Sequence, residues 1–214
     1  MAFALVCADF AELEQVSAMA REVRDKHRQL SRLVNARMTP GSGQRVITTD
    51  GNERTFQINY LAPYLLTRTL HEPLAATPGS RIINTGSILH RGGNISWRDL
   101  NRTHRYTQLA VYAQSMLAVS MFTQLAAQLW SDSCVAVCTD PGTTDPALLR
   151  LYGPSVRPST DSADVLARLG DPDFSPVNGA FYERLQAAPA TPPISGERAL
   201  ARLWKRSATI TGLR

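Results

Sequence analysis

Short apolar runs alternate with longer amphipathic stretches along most of the chain. Phe3 to Cys7 reads as a strand, followed by a helix from Asp9 to about Gln29 that carries Leu13, Val16, Met19, Ala20 and Val23 on one face. Asp9 is placed to cap that helix. Leu30 to Asn35 predicts a second strand, and Met38 to Gly51 a loop marked by Pro40, Gly41, Gly43 and Asp50-Gly51. A helix follows from Asn52 to about Leu70, with a kink expected at Pro63 because proline removes one backbone hydrogen bond. Arg81 to Thr85 is the third strand, residues 86–105 an irregular connection, and Tyr106 to Trp130 the longest helix. Cys134 to Cys138 is the fourth strand, closed by Asp140-Pro141-Gly142. Pro-rich loops, a helix near Ser162 to Leu169, a short apolar stretch at Gly179 to Tyr182 and a final helix from about Ser195 to Arg206 complete the pattern.

Strand–helix alternation of this kind predicts an α/β fold, a mostly parallel sheet covered by helices, in one domain spanning residues 1–214. Ligands in such sheets bind beyond the carboxyl ends of the strands. That rule puts Asn35, Ser87 and Pro141-Gly142 on one rim.

Composition changes the picture little. Hydrophobic residues are 43% and charged residues 19% of the 214, an ordinary globular mix. The net charge of +5 comes from dispersed arginines without a run of five basic residues, so a solvated surface is expected rather than a nucleic-acid interface. An anionic small molecule is the better charged partner. Cys134 and Cys138 fall on one face of a strand about 13 Å apart, too far for a disulfide. Neither a signal peptide nor a run of 18 apolar residues is evident, so the expected location is cytoplasmic and without a membrane span.

Three side chains gather at the predicted rim. Ser87 follows the strand RIINTG, Tyr112 lies early in the long helix within VYAQSM, and Asn59 lies in FQINYLAP. A hydroxyl, a phenol and an amide together can bind and protonate a carbonyl oxygen. Taken singly, each is more often a turn, core or capping residue. His90, three residues past Ser87, and His104 are candidate bases because imidazole titrates near neutrality.

RIINTGS, the Tyr of VYAQS twenty-five residues on, and VAVCTDPGTTDPAL together resemble the retinol-dehydrogenase-like branch of the short-chain dehydrogenase/reductase family. DGNERTFQINYLAPYLLTRTL is similar to that branch's DGxExxxxxNxLGxFLLTxLL helix, SRLVNARM to its Leu-Val-Asn-Asn-Ala-Gly segment, and ALARLWKRSATITGL to its last helix. Ordered motifs at matching spacing make the resemblance specific, over about residue 3 to the end. It implies a Rossmann-like sheet with helices on both faces. In this reading Ser87 binds the substrate oxygen, Tyr112 is the acid/base and Asn59 holds a water. Asp9 stands at the adenine contact, Asn35 and Ala36 line the cofactor, and Pro141 and Gly142 border the nicotinamide.

The sequence also departs from the family pattern. FALVCADFAELEQV resembles the family's third strand, so the first two strands and their Thr-Gly-x-x-x-Gly-x-Gly turn have no counterpart. The lysine of Tyr-x-x-x-Lys is Met116, one helical turn from Tyr112, and the glycine of Asn-Asn-Ala-Gly is Met38. From these departures the sequence predicts that no cofactor is used. The expected activity is cofactor-independent acid/base chemistry on a carbonyl or hydroxyl small molecule: dehydration, isomerisation or cyclisation, as in natural-product biosynthesis. The alternatives are an NAD(P)-dependent oxidoreductase with residual or partner-assisted activity, and a non-catalytic pseudoenzyme or binding subunit. Two further expectations concern assembly. Phe3 to Cys7 should pair beside Leu30 to Asn35 or swap onto a partner, and a homodimer should form through helices about 52–70 and 106–130.

Overall fold

A computed structural model describes residues 4–188 and 196–213. Five strands form one sheet in the order β1-β2-β3-β4-β5. They are β1 (Arg32–Asn35), β2 (Ser80–Thr85), β3 (Cys134–Asp140), β4 (Phe181–Glu183) and β5 (Gln186–Ala188). The first four run parallel and β5 closes antiparallel on β4. β2 is buried along its whole length, as expected of a central parallel strand.

The pleat divides the core. Ile82, Ala136 and Cys138 face α1 (Leu13–Lys26), α3 (Ala62–Thr69), α5 (Gln108–Leu129) and α8 (Glu197–Ile210). Ile83, Val137 and Tyr182 face the other way, against Val165 and Leu169 of α7 (Ser162–Gly170). Helices thus lie on both faces, unequally. The second face thins toward the edge strand, where Val34, in register with Ile83, is 41% exposed.

α1 buries Leu13, Val16 and Ala20, with Met19 and Val23 packed at the margin of the core. Its expected cap is different. Asp9 turns onto Ala11 N (2.8 Å), while the Leu13 amide is taken by the carboxylate of Asp50, 37 residues away (2.9 Å). A carboxylate at a helix start meets both an orphan N–H and the positive end of the dipole.

The predicted helix from Asn52 is continuous but not uniform. Glu53 caps α2 (Arg54–Phe56) through the amides of Thr55 and Phe56, a π turn covers Gln57–Leu61, and α3 follows. The break expected at Pro63 is therefore taken up one turn earlier. There the Ala62 amide reaches back to Gln57 O, so the helix widens ahead of the residue that cannot donate.

α5 is long and apolar enough to pass for a membrane span, yet residues 111–123 are all buried within the fold. α8 lies across it through an aromatic cluster. Trp204 meets Tyr64, Phe122 and Trp130 at ring-centroid distances of 5.5, 5.8 and 5.6 Å, and Tyr60 Oη lies 2.6 Å from Ser207 Oγ. α1 packs on α3 from the same side. α1 and α8 of the same chain thus each pack on one of the two helical segments named for a homodimer.

Residues 4–7 form no strand, against expectation. They carry no regular secondary structure, with Leu5 89% exposed, and β1 is the sheet edge; Phe3 lies outside the described residues. Three elements were not expected: α4 (His71–Ala75), β5, and α6 (Pro146–Tyr152), the last in a stretch read as Pro-rich loop and capped by the Asp145 carboxylate on Ala147 N.

Candidate active site

β2 and β3 deliver the site. β2 ends at Thr85, and Gly86 then passes against β3, its amide bonded to Thr139 O at 2.6 Å. No side chain fits there: a Cβ on Gly86 would sit 2.4 Å from Cys138 Sγ and 3.2 Å from the Phe181 ring. Gly86→Ala is expected to destabilise the fold by about 1–3 kcal/mol through overpacking, read by urea unfolding. Adding Cys138→Ala should recover part of that loss, because Cys138 Sγ is the nearest clashing atom.

The tight passage places Ser87 at the carboxyl rim, fully buried. Ser87 Oγ receives the Leu89 amide (3.1 Å) and opens the 3-10 turn Ile88–Gly92. Tyr112 is buried in the second turn of α5, and Ser87 and Tyr152 are among the groups that bear on its phenol. Burial pushes the Tyr112 phenol well above its ordinary range, and Asp140 adds to the rise while Ser87 and Tyr152 moderate it. The Tyr112 hydroxyl also lies 3.8 Å from Met38 Sδ. Met38, Met116, Leu148 and Leu151 wrap the ring in an apolar sleeve.

Asn59 does not join this pair. Its Oδ1 accepts from Thr39 N (2.8 Å) and its Nδ2 donates to Thr39 O and Ser115 Oγ (both 3.0 Å). It pins the segment after β1 to α5. His90 is also built in rather than poised: it is buried, its ring packs on Phe181 at 4.3 Å, and its Nδ1 lies 2.7 Å from Ser87 O. An Nδ1–H donating to that carbonyl holds the Ser87 backbone in place. Desolvation lowers the His90 pKa, which favours this neutral form. His104 is exposed and contacts Thr103 and Asp99.

Two residues at the site were not singled out from sequence. Asp140, the buried last residue of β3, receives Ile88 N at Oδ2 (2.8 Å) and Gly142 N at Oδ1 (2.9 Å). Tyr152 closes α6 and sets its hydroxyl 2.7 Å from Ser87 Oγ and 3.0 Å from Asp140 Oδ2. A cavity of about 240 Å³ opens beside them, lined among others by Ile88, Asp140, Gly142, Tyr152 and Val156.

The expected cofactor positions divide. Asp9 lies on the exposed N-terminal segment. The Asn35 side chain is spent inside the fold, donating to Thr67 Oγ1 (3.0 Å) and Asn84 Oδ1 (2.7 Å). Ala36 and Arg37 stand exposed just past β1, and the Arg37 guanidinium has no acidic partner among the described residues. Pro141 and Gly142 turn the chain out of β3, Gly142 with φ +81°. Met116 is buried beside Tyr112, so no cation stands there.

Fold, rim and hydroxyl pair define a class. Residues 1–154 match the family described as short chain dehydrogenase, and the chain belongs to the short-chain dehydrogenase/reductase family, in its retinol-dehydrogenase-like branch. A Streptomyces sp. (strain C5) protein provisionally named daunorubicin C-13 ketoreductase DnrU is 33% identical over 216 residues, covering 96% of this chain and 73% of its own. Human retinol dehydrogenase 13 is 29% identical over 226 residues, covering 96% and 67%. Among solved structures, an uncharacterised Mycobacterium paratuberculosis protein superposes with a TM-score of 0.74 at 23% identity, over 96% of this chain and 74% of that one. A short chain dehydrogenase from Shigella flexneri 2a, complexed with NADP, gives 0.60 at 18% identity, over 85% and 72%.

These relatives correct the functional expectation. Neither a cofactor-independent enzyme nor the absence of NAD(P) is supported, because the similar proteins are named dehydrogenases and a ketoreductase and an NADP complex shares the fold. Met116 removes one aid to the tyrosine; the phenol and its serine partner remain.

Proposed function

We propose that this protein is an NAD(P)-dependent oxidoreductase that interconverts a carbonyl and a hydroxyl group on a small molecule, acting as a ketoreductase. What supports the reading is a buried Ser87 hydroxyl at the carboxyl rim, with Tyr112 buried early in α5 and a cavity of about 240 Å³ beside it, in a chain 33% identical to a protein named as a ketoreductase.

The rim fits a nicotinamide cofactor. Ala36 and Arg37 offer an open, positively charged ledge past β1, suited to a phosphate or ribose. Gly142, following Pro141, lines the cavity where the reacting ring would lie. When bound, the cofactor supplies or takes the hydride. The chain's own part is the oxygen. Ser87 donates a hydrogen bond to the carbonyl oxygen, and Tyr112 gives it a proton as the alkoxide forms. His90 holds the Ser87 backbone through its carbonyl, and Asn59 holds Ser115, whose hydroxyl donates to Tyr112 O at 2.7 Å. With its phenol pushed upward and no cation at position 116, Tyr112 keeps its proton at neutral pH, so the site favours reduction over oxidation.

Isothermal titration with NADPH and NADH, followed by NADPH consumption with aryl and alkyl ketones, tests this reading. Binding together with ketone-dependent oxidation is the expected result. Failure to bind either cofactor, with no turnover of any carbonyl, would sink it.

A further inference from the structure

The Ser87 hydroxyl is already engaged. Tyr152 Oη lies 2.7 Å from Ser87 Oγ and 3.0 Å from Asp140 Oδ2. The phenol donates to Ser87 Oγ and has the Asp140 carboxylate as a second acceptor within reach. The Tyr152 oxygen thus stands at hydrogen-bond distance from Ser87, in the space that a substrate oxygen held by that serine would need.

We infer that Tyr152 occupies the substrate-oxygen position in the free protein, so that a carbonyl compound binds only by displacing it. Tyr152 is in this sense a specificity-determining residue, and the inference rests on the ketoreductase reading above.

The surrounding chain suits displacement. α6 is seven residues long and lies between two left-handed glycines, Gly142 at φ +81° and Gly153 at φ +91°. Inward it is held by Leu148 and Leu151 against Tyr112 and Met116, and by the Tyr152 hydroxyl. The first two contacts are apolar and tolerate sliding; the hydroxyl contacts are directional. Tyr152 is itself a wall of the cavity of about 240 Å³, with Ile88 and Val156 among the others. A ring that leaves Ser87 opens this cavity onto Ser87 Oγ. Asp140 is fixed by Ile88 N and Gly142 N and stays as an acceptor. A substrate then exchanges a phenol oxygen for a carbonyl oxygen at Ser87, and its affinity is lowered by whatever holds the phenol. Compounds that place an aromatic ring or a second polar group near Asp140 and Ile88 should be favoured over small aliphatic ketones.

The test uses the full chain without cofactor and acetophenone as the carbonyl probe, titrated by calorimetry. Tyr152→Phe keeps the ring and removes the competing oxygen, and is expected to bind acetophenone about tenfold more tightly than the wild type, or about 1.4 kcal/mol. Tyr152→Leu, with a smaller apolar side chain, should shift in the same direction and covers the case in which the phenylalanine variant misfolds. Unchanged or weaker binding by both variants overturns the inference. In turnover the Michaelis constant should fall; a loss of kcat at constant KM would instead make Tyr152 the proton donor and would equally overturn it. Ser87→Ala separates the two levels of argument: should it bind acetophenone as the wild type does, the carbonyl site itself is misplaced and the ketoreductase reading fails, whatever Tyr152 does.

Discussion

Tyr112→Phe is expected to lower kcat/KM for a ketone by about 10²–10⁴, the range for removal of a positioned proton donor. The change deletes one oxygen from a ring that stays packed among Met38, Met116, Leu148 and Leu151, so the fold should survive it. Besides the serine and tyrosine hydroxyls, that oxygen meets Met38 Sδ at a distance of 3.8 Å, a weak interaction whose removal costs the fold little. NADPH consumption measured against ketone concentration checks it. Ser87→Ala should cost somewhat less, about 10²–10³, because it removes a hydrogen-bond donor to the developing oxyanion rather than the proton source. The two losses should not add, since both act on one oxygen atom. The pH profile adds an independent check. Burial raises the Tyr112 phenol, so the acid form needed for reduction is intact across about pH 6–9 and this group imposes no fall in rate there. The reverse oxidation needs the phenolate and should climb through the same range. A Tyr112→Phe variant with wild-type turnover would remove this residue from the chemistry.

Much of the fold was legible in the pattern of apolar positions because that pattern is a record of burial. Ile82 and Ile83 point to opposite faces, and α1 shows its buried stripe at Leu13, Val16 and Ala20. The places of Ser87 just past β2 and of Tyr112 early in α5 were legible too, from the strand and helix patterns around them. What stayed hidden depends on contacts between distant segments. Nothing near Leu13 announces that Asp50 will cap it, and an apolar run such as Phe3 to Cys7 becomes a strand only when another strand meets it. Asp140 was visible as a carboxylate ahead of Pro-Gly at the rim, which is a signal that could have been taken as a site residue. Tyr152 was obscured because α6 is short and framed by Pro146 and Gly153, which read as loop. Asn59 and His90 carried the right chemistry in the right neighbourhood, but the first is spent on Thr39 and Ser115 and the second on a backbone carbonyl.

Cofactor use was misjudged for a physical reason of the same kind. A lysine beside a tyrosine lowers its pKa and matters most when the phenolate must act as a base. A reductase needs the phenol as an acid, and an uncharged, desolvated sleeve of Met38 and Met116 preserves that acid.

The same desolvation predicts a sharp alkaline limit to stability. Tyr60, Tyr64, Tyr112 and Tyr152 all have their phenols raised above the ordinary value, in each case chiefly by burial. In the unfolded chain these groups lose protons near pH ~10, whereas in the folded chain they retain them. A group whose folded pKa is raised contributes stability below its unfolded pKa and withdraws it as the pH rises toward the folded value. A deeply buried tyrosine then costs about 1.4 kcal/mol per pH unit above its unfolded pKa, and Tyr60 and Tyr112, the most deeply buried of the four phenols, together cost roughly 3 kcal/mol per unit. Against a domain stability on the order of 5–15 kcal/mol, unfolding should set in within about two to three pH units of the unfolded pKa. Tyrosinate absorbance at alkaline pH should therefore stay low and then rise in one cooperative step that coincides with loss of far-UV circular dichroism. Tyr60 anchors the other end of the effect: its hydroxyl meets Ser207 of α8 at 2.6 Å, so its ionisation would place a desolvated charge where α8 meets the core. Tyr60→Phe should shift the step upward in pH by removing one titrating group, even while lowering stability at neutral pH by the loss of that hydrogen bond, about 1 kcal/mol. Six tyrosines titrating smoothly around their ordinary pKa with the circular dichroism unchanged would show that these phenols are not desolvated, and the acid role given to Tyr112 would fall with them.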